Sequence, residues 1–319
     1  MNILSLVVPC YNEEKTVLSL YNEILKILSK ISIADFEMIF VDDGSTDNTL
    51  NTIKEISKYD EHIKYISFSR NFGKESAIFA GLEKSVGNFV AILDADFQDP
   101  PELLIKMYNI ITTQDYDCVA ARRISRSGES FLRSFLSKYF YSIINKTSKI
   151  EILEGTRDYR MMSRLMVNSI LELKESVRFS KGIFSWVGYK TKWIEYKNVT
   201  RYNDKSKWSF RSLFVYSLDA ITSFSSVPLS LVSILGFILC IISFLLILFV
   251  VAKNIFFKDP VAGYPSMICI ILFIGSIQLF SIGIIGQYLS KIFVEIKRRP
   301  IYLIKESSYR GETKKRCEK

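Results

Sequence analysis

Two long stretches of the chain, 220–252 and 260–290, contain no charged residue. Each is long enough to cross the hydrocarbon core of a bilayer, for which about 20 residues suffice. A helix that is apolar on every face is not the surface helix of a soluble domain. The pattern predicts two transmembrane helices, 227–252 and 264–290, joined by a short external loop, 253–263, and followed by a basic tail, 291–319. Between Ser209 and Ser226 apolar residues recur at 210, 213, 214, 218, 221 and 224, the spacing of an amphipathic helix lying in the membrane interface. Whatever chemistry the protein performs is therefore expected in residues 1–208.

That first part alternates. Strand-like runs at Ile3–Val8, Phe36–Val41, Ile63–Phe68, Phe89–Leu93 and Tyr116–Ala120 are separated by helical patterns near 13–30, 46–58, 73–86 and 101–113. Strands alternating with helices predict an α/β domain, a mainly parallel sheet covered on both faces. In such sheets ligands bind beyond the carboxyl ends of the strands. Four polar clusters fall at those ends: Pro9–Glu14, Asp42–Ser45, Arg70–Lys74 and Asp94–Asp96. Each alone could be a turn or a helix cap; four at equivalent positions predict one pocket.

The fourth cluster has the clearest chemistry. Asp94 and Asp96 follow an apolar strand, and residues two apart on extended backbone point to the same side. Two hard oxygen donors at a strand end suit Mg²⁺ or Mn²⁺ holding a diphosphate. No Walker lysine loop and no G-x-G-x-x-G is present. A nucleotide would then be held through its base, its ribose and a metal-bound diphosphate. The single histidine, His62, all but removes histidine-based catalysis. The five cysteines (Cys10, Cys118, Cys240, Cys269 and Cys317) lack metal-ligand spacing, so they read as thiols in a reducing compartment. The first residues have no basic flank and are not expected to be a signal peptide.

The segments V-V-P-C-Y-N-E-E, V-D-D-G-S-T-D-N-T, S-R-N-F-G-K-E-S-A, L-D-A-D-F-Q-D-P-P-E and R-D-Y-R-M-M-S-R, in this order, resemble the inverting GT-A glycosyltransferases. More closely they resemble the polyprenyl-phosphate group: the bactoprenol glucosyltransferases and dolichol-phosphate mannose synthases. The resemblance implies a Rossmann-like GT-A domain. It assigns Pro9, Tyr11, Glu13, Asp43 and Asp94 to the nucleotide and adds Gln98 to Asp94 and Asp96 as a metal ligand. Arg122, Arg133 and Ser137 become candidates for the acceptor phosphate; Arg133 and Ser137, four apart, share a helix face. Asp158 matches the family's carboxylate near the reaction centre, as a base or as an orienting group. Arg201, Ser206 and Lys207 fit a loop that closes over the donor diphosphate, although Asp204 stands where the family has glycine.

The expected activity is transfer of a sugar from a nucleotide sugar, UDP-glucose first, to undecaprenyl phosphate, supplying a lipid-linked donor for cell-surface glycans. N-acetylglucosamine, mannose and aminoarabinose stay open as the sugar. A polysaccharide synthase and a silent membrane scaffold are the weaker alternatives. The tail, 291–319, holds ten basic and four acidic residues. The positive-inside rule places it in the cytoplasm. The catalytic part shares that side of the inner (plasma) membrane because two spans return the chain. No nucleic-acid partner is expected, and a homo-oligomer is left open.

Overall fold

The computed structural model describes residues 3–31, 33–123, 153, 155–196, 227–257 and 264–309. The expected interfacial helix lies outside the described residues, as do Arg133, Ser137, Arg201, Ser206 and Lys207.

The alternation expected from the sequence is present. In chain order come β1 (Ile3–Cys10), α1 (Val17–Leu28), β2 (Asp35–Asp42), α2 (Thr49–Tyr59), β3 (Ile63–Phe68), α3 (Lys74–Lys84), β4 (Phe89–Ile92), α4 (Leu103–Thr113) and β5 (Cys118–Arg123). Then follow β6 (Thr156–Ser163), α5 (Arg164–Glu172), α6 (Ser180–Trp186) and β7 (Thr191–Tyr196). One eight-stranded sheet has the order β7-β5-β6-β4-β1-β2-β3-β8, where β8 is Ile304–Ser307. The pairs β1/β2, β1/β4, β2/β3 and β5/β7 are parallel. The pairs β4/β6, β5/β6 and β3/β8 are antiparallel.

Alternating side chains build the two faces. Leu4, Leu6 and Val8 of β1 join Met38, Phe40, Leu20, Ile24, Ile53 and Met107 in the larger core, under α1, α2 and α4. Val7 points the other way, to Ile78 and Leu82 of α3 and Met166 of α5. Seven consecutive residues of α3, Ser76–Leu82, are buried. A helix enclosed to this degree holds its first turn in a fixed place.

Two long helices follow, α7 (Val227–Phe257) of 31 residues and α8 (Tyr264–Ile296) of 33. They expose large apolar side chains, among them Phe237, Phe249, Leu279 and Phe280, the kind of surface that marks contact with lipid or another protein. Among the described residues, one helix, Phe273–Ile296, is long and apolar enough to cross a membrane.

The segment expected to be a basic tail contains structure that its composition hides. After α8 the chain returns to the sheet, and β8 pairs with β3. The Tyr302 ring stacks on Phe68 at 5.0 Å, Lys54 pairs with Glu306, and Ser308 Oγ accepts from the Tyr65 amide at 2.8 Å. The end of α8 is also tied down, since Glu295 accepts from the Ser176 amide at 2.7 Å.

Candidate active site

The chain runs from β1 outward through β2 to β3, then crosses back to place β4 on the other side of β1. A reversal of this kind opens a crevice at the carboxyl ends of the two central strands, here between Cys10 and the Asp94 loop.

One wall is a pair of laced loops. Asn12, at φ 54°, donates its amide to Ser45 Oγ and accepts from the Thr46 amide. The Glu13 amide donates to Thr49 Oγ1, and the Glu13 carboxylate accepts from Thr16. Pro9 lies at the end of β1 opposite Val41, and Tyr11 is 39% exposed at the rim. Asp43 is buried and serves the next loop: its two oxygens accept the amides of Phe72 at 2.7 Å and Gly73 at 2.9 Å. Burial raises the Asp43 pKa to about 6 although those two amides oppose the shift. These residues gather at one end of the sheet, as expected. Asn12 and Ser45, within the expected clusters, and Thr46 and Thr49, to which the sequence assigned no role, hold the loops together.

Strand register explains the centre. Strands β4 and β6 are antiparallel with Ile92 opposite Arg160. Two residues further forward on one strand and back on the other bring Asp94 opposite Asp158. Two facing carboxylates repel, and Lys74, the first residue of α3, lies between them. Its Nζ is 2.7 Å from Asp94 Oδ1 and 2.7 Å from Asp158 Oδ2. Burial works against the Lys74 charge, but Asp158 and then Asp94 outweigh it and hold the ammonium above the usual lysine range. Burial likewise opposes ionisation of Asp158. Lys74 and then Lys181 reverse that effect and keep its pKa far below the usual carboxylate range. The second Asp158 oxygen, Oδ1, is buried without a hydrogen-bond partner among the described residues.

The Asp96 geometry differs from the expectation. The extended backbone ends near Leu93; Ala95 and Asp96 form a turn, and Phe97 adopts φ 56°. A turn, not strand alternation, therefore carries the chain from Asp94 to Asp96. Asp96 Oδ1 accepts from the Gln98 amide at 3.1 Å. Gln98 Oε1 accepts from Arg157 Nη2 at 3.3 Å, so ligation by Gln98 would share an oxygen already in use. Among the described residues no group of three or more His, Cys, Asp or Glu is placed to hold a metal. The donor set Asp94, Asp96 and Gln98 is nevertheless all oxygen, the chemistry of Mg²⁺ and Mn²⁺. The residues fit such an ion with further oxygens from substrate.

Behind this loop Asp99 is buried, hydrogen-bonded by the Tyr196 hydroxyl and paired with Arg157 Nε at 3.6 Å. Burial raises the Asp99 pKa to about 6, against the pull of Arg157. On the other flank Arg122, on β5, reaches Glu195 of β7 at 3.5 Å. Glu75 accepts from the amide and hydroxyl of Ser180, at the start of α6. The Arg178 guanidinium lies over the Phe79 ring at 4.3 Å. Trp186 is 59% exposed, so it is not a core residue. Cys10 and Cys118 are buried free thiols, and His62 is engaged by Asp60 at 2.7 Å and stacked on Phe36.

Residues 5–171 match the model of the Glycosyl transferase family 2. CsbB of Bacillus subtilis, a glycosyltransferase by name, is 43% identical over 96% of this chain and 92% of its own. The bactoprenol glucosyl transferase of Shigella phage SfII is 38% identical over 97% of this chain and 99% of its own. Among solved structures, glucosyl-3-phosphoglycerate synthase from Mycobacterium tuberculosis, in complex with Mn²⁺, UDP-glucose and phosphoglyceric acid, aligns at 19% identity. That alignment covers 69% of this chain and 78% of the other, with a TM-score of 0.45.

Proposed function

The chain belongs to glycosyl transferase family 2, in the polyprenyl-phosphate group of GT-A type, and from that premise we propose its reaction. It transfers glucose from UDP-glucose to the phosphate of undecaprenyl phosphate, with inversion at the anomeric carbon. The observation that carries this reading is the near-full-length match to a bactoprenol glucosyl transferase, which includes the long helices as well as the sheet.

In this reaction an acceptor phosphate oxygen forms a bond to the anomeric carbon while the bond from that carbon to the nucleotide diphosphate breaks on the opposite face. Pro9, Tyr11, Glu13 and Asp43 line the nucleotide end, and Asp94 reaches the diphosphate. Asp94, Asp96 and Gln98 would hold Mg²⁺ or Mn²⁺, which when bound supplies positive charge for the leaving diphosphate. Arg201, Ser206 and Lys207 close over that diphosphate. Arg122, Arg133 and Ser137 grip the acceptor, where a forked guanidinium and a hydroxyl suit a phosphate.

Asp158 orients the acceptor rather than deprotonating it. A phosphate monoester has its second pKa near about 6 and is already largely ionised at neutral pH. A carboxylate whose pKa lies far below the working pH is a weak base. The same property makes it a permanent anion, suited to positioning.

The acceptor headgroup lies at the membrane surface, so the site opens towards the inner leaflet. Helices α7 and α8 span the bilayer twice, with both termini and the catalytic domain cytoplasmic and 209–226 in the interface.

The test is incubation of the detergent-purified protein with undecaprenyl phosphate and UDP-glucose, UDP-N-acetylglucosamine or a GDP-sugar, followed by mass spectrometry of the lipid. A hexose adduct from UDP-glucose, abolished by EDTA, is expected. No adduct from any donor refutes the reading.

A further inference from the structure

Lys74 closes the third of the four polar clusters expected to form the pocket, but the sequence assigns it no individual role. It follows Gly73 in R-N-F-G-K-E-S, after the end of β3 and at the start of α3. The structure puts its ammonium within 2.8 Å of Asp94 Oδ2 and 2.7 Å of Asp158 Oδ2, bridging residues 20 and 84 positions away.

Three observations go beyond an ordinary ion pair. First, Asp94, just past the end of β4, and Asp158, on β6, both lie within 2.8 Å of one ammonium, so a cation between them is an electrostatic requirement of the ionised site. Second, Lys74 is anchored by its backbone. The preceding residue, Gly73, gives its amide to Asp43, and the helix Lys74 begins is enclosed from Ser76 to Leu82. Third, the Lys74 side chain is 42% exposed as a whole, so it lies at the crevice and is not sealed in the core. Asp94, Asp96 and Asp158 carry three negative charges, and Lys74 reduces them to two, the charge one divalent ion neutralises.

We propose that Lys74 is a positioning residue, a resident cation that competes with the divalent metal for Asp94 in the donor-free enzyme. When metal and donor arrive it gives up Asp94 and stays on Asp158, holding that carboxylate towards the acceptor. The inference rests on the proposed metal-assisted glycosyl transfer and names a residue that this reading did not use. It has a directional consequence. Removing the Lys74 charge leaves Asp94 free for the ion, so the metal binds the nucleotide-free protein more tightly even as turnover is lost. Damage to the fold would weaken both.

The experiment titrates Mn²⁺ into the full-length, detergent-purified protein without nucleotide, read by electron paramagnetic resonance of the free ion. Wild type is compared with Lys74→Met, which keeps length and removes charge, and Lys74→Arg, which keeps charge. Lys74→Met is expected to bind Mn²⁺ at least tenfold more tightly and to lose at least a hundredfold in kcat. Lys74→Arg is expected to stay within threefold of wild type in Mn²⁺ affinity. In Asp158→Asn, where Lys74 has Asp94 as its remaining carboxylate partner, affinity should fall. If Lys74→Met fails to fold by tryptophan fluorescence, Lys74→Gln takes its place with the same expectation. Unchanged or weaker Mn²⁺ binding in a folded, charge-free variant overturns the proposal. Wild type that neither binds Mn²⁺ nor turns over overturns the metal-assisted reaction itself, which keeps the two failures apart.

Discussion

Gly44 is the position where one added methyl group should do the most damage to the site. It sits between Asp43 and Ser45 with φ at +68°, and a Cβ built there would lie 2.5 Å from the carbonyl carbon of Arg70 and 2.8 Å from the amide nitrogen of Asn71. Both are backbone atoms, which cannot rotate away as a side-chain tip does. The left-handed conformation costs an alanine roughly 1–2 kcal/mol. Forcing a methyl into occupied space adds about 1–3 kcal/mol, so Gly44→Ala should cost roughly 2–5 kcal/mol of a stability of about 5–15. Gly188 provides the control. Its φ is +73°, but the nearest atom to its built Cβ is the Trp186 carbonyl oxygen at 4.0 Å, so Gly188→Ala carries the conformational part alone. All three tryptophans, Trp186, Trp193 and Trp208, precede α7, so urea unfolding followed by fluorescence reports on the catalytic part of the chain. Gly44→Ala should exceed Gly188→Ala by at least about 1 kcal/mol. It should also raise the donor KM, because moving Arg70 and Asn71 drags the Phe72 and Gly73 amides off Asp43. Equal losses in the two variants, with donor KM unchanged, would refute the close-approach argument.

Asp96→Asn should leave the unfolding midpoint near wild type and lower kcat at least about a hundredfold, the scale of losing one electrostatic stabiliser; wild-type rates in excess EDTA would contradict it. Asp99, with a folded pKa of about 6 against 3.8 unfolded, binds more protons folded than unfolded between those values, so its contribution to stability falls as pH rises from 4 to 6. Asp99→Asn should therefore compare more favourably with wild type at pH 7 than at pH 4.5 in urea unfolding, and a pH-independent difference would count against the buried carboxylate. Tyr302→Ala should cost about 1–3 kcal/mol by losing the stack on Phe68 and the hydrogen bond to Glu83, whereas Tyr302→Phe, which keeps the ring, should cost less than about 1 kcal/mol. In a background without other cysteines, Lys258→Cys should react with a membrane-impermeant maleimide on intact cells, and Lys305→Cys, exposed on β8, only after permeabilisation.

The first five strands and four helices were legible because each apolar run is short, regular and bounded by turn residues. β6 was hidden because Arg157, Asp158 and Arg160 interrupt its apolar pattern, and its antiparallel insertion between β4 and β5 is a long-range pairing that no local period announces. β7 did leave a signal: in T-K-W-I-E-Y, Ile194 and Tyr196 are buried while Glu195 between them is exposed. β8 is four residues long, two of them charged, and only the edge of β3 makes it a strand. The sequence expected Asp94 and Asp96 on extended backbone, whereas a turn at Ala95–Asp96, with Phe97 at φ 56°, carries Asp96. The cluster ending in Lys74 was legible from its place after β3, but its two carboxylate partners, 20 and 84 positions away, were not, because the fold alone brings them together.

β8 also bears on how the long helices can lie. It hydrogen-bonds to β3 in the same sheet that begins at Ile3. An unpaired strand cannot remain in hydrocarbon, and a sheet cannot be shared across a bilayer. If the long helices enter a membrane, the chain between β7 and β8 crosses it an even number of times. A crossing by α8 alone, the helix that passes the length and apolarity criterion among the described residues, would leave β8 on the far side from its partner strand. If α8 spans, α7, with its 31 residues, is the segment available for the second crossing. Hydrogen bonding and connectivity set this constraint, whereas the positive-inside rule depends on the charge of the tail. The two are independent: strand pairing keeps β8 on the side of the Lys74 carboxylate bridge, and the proposed cytoplasmic orientation rests on the tail charge alone.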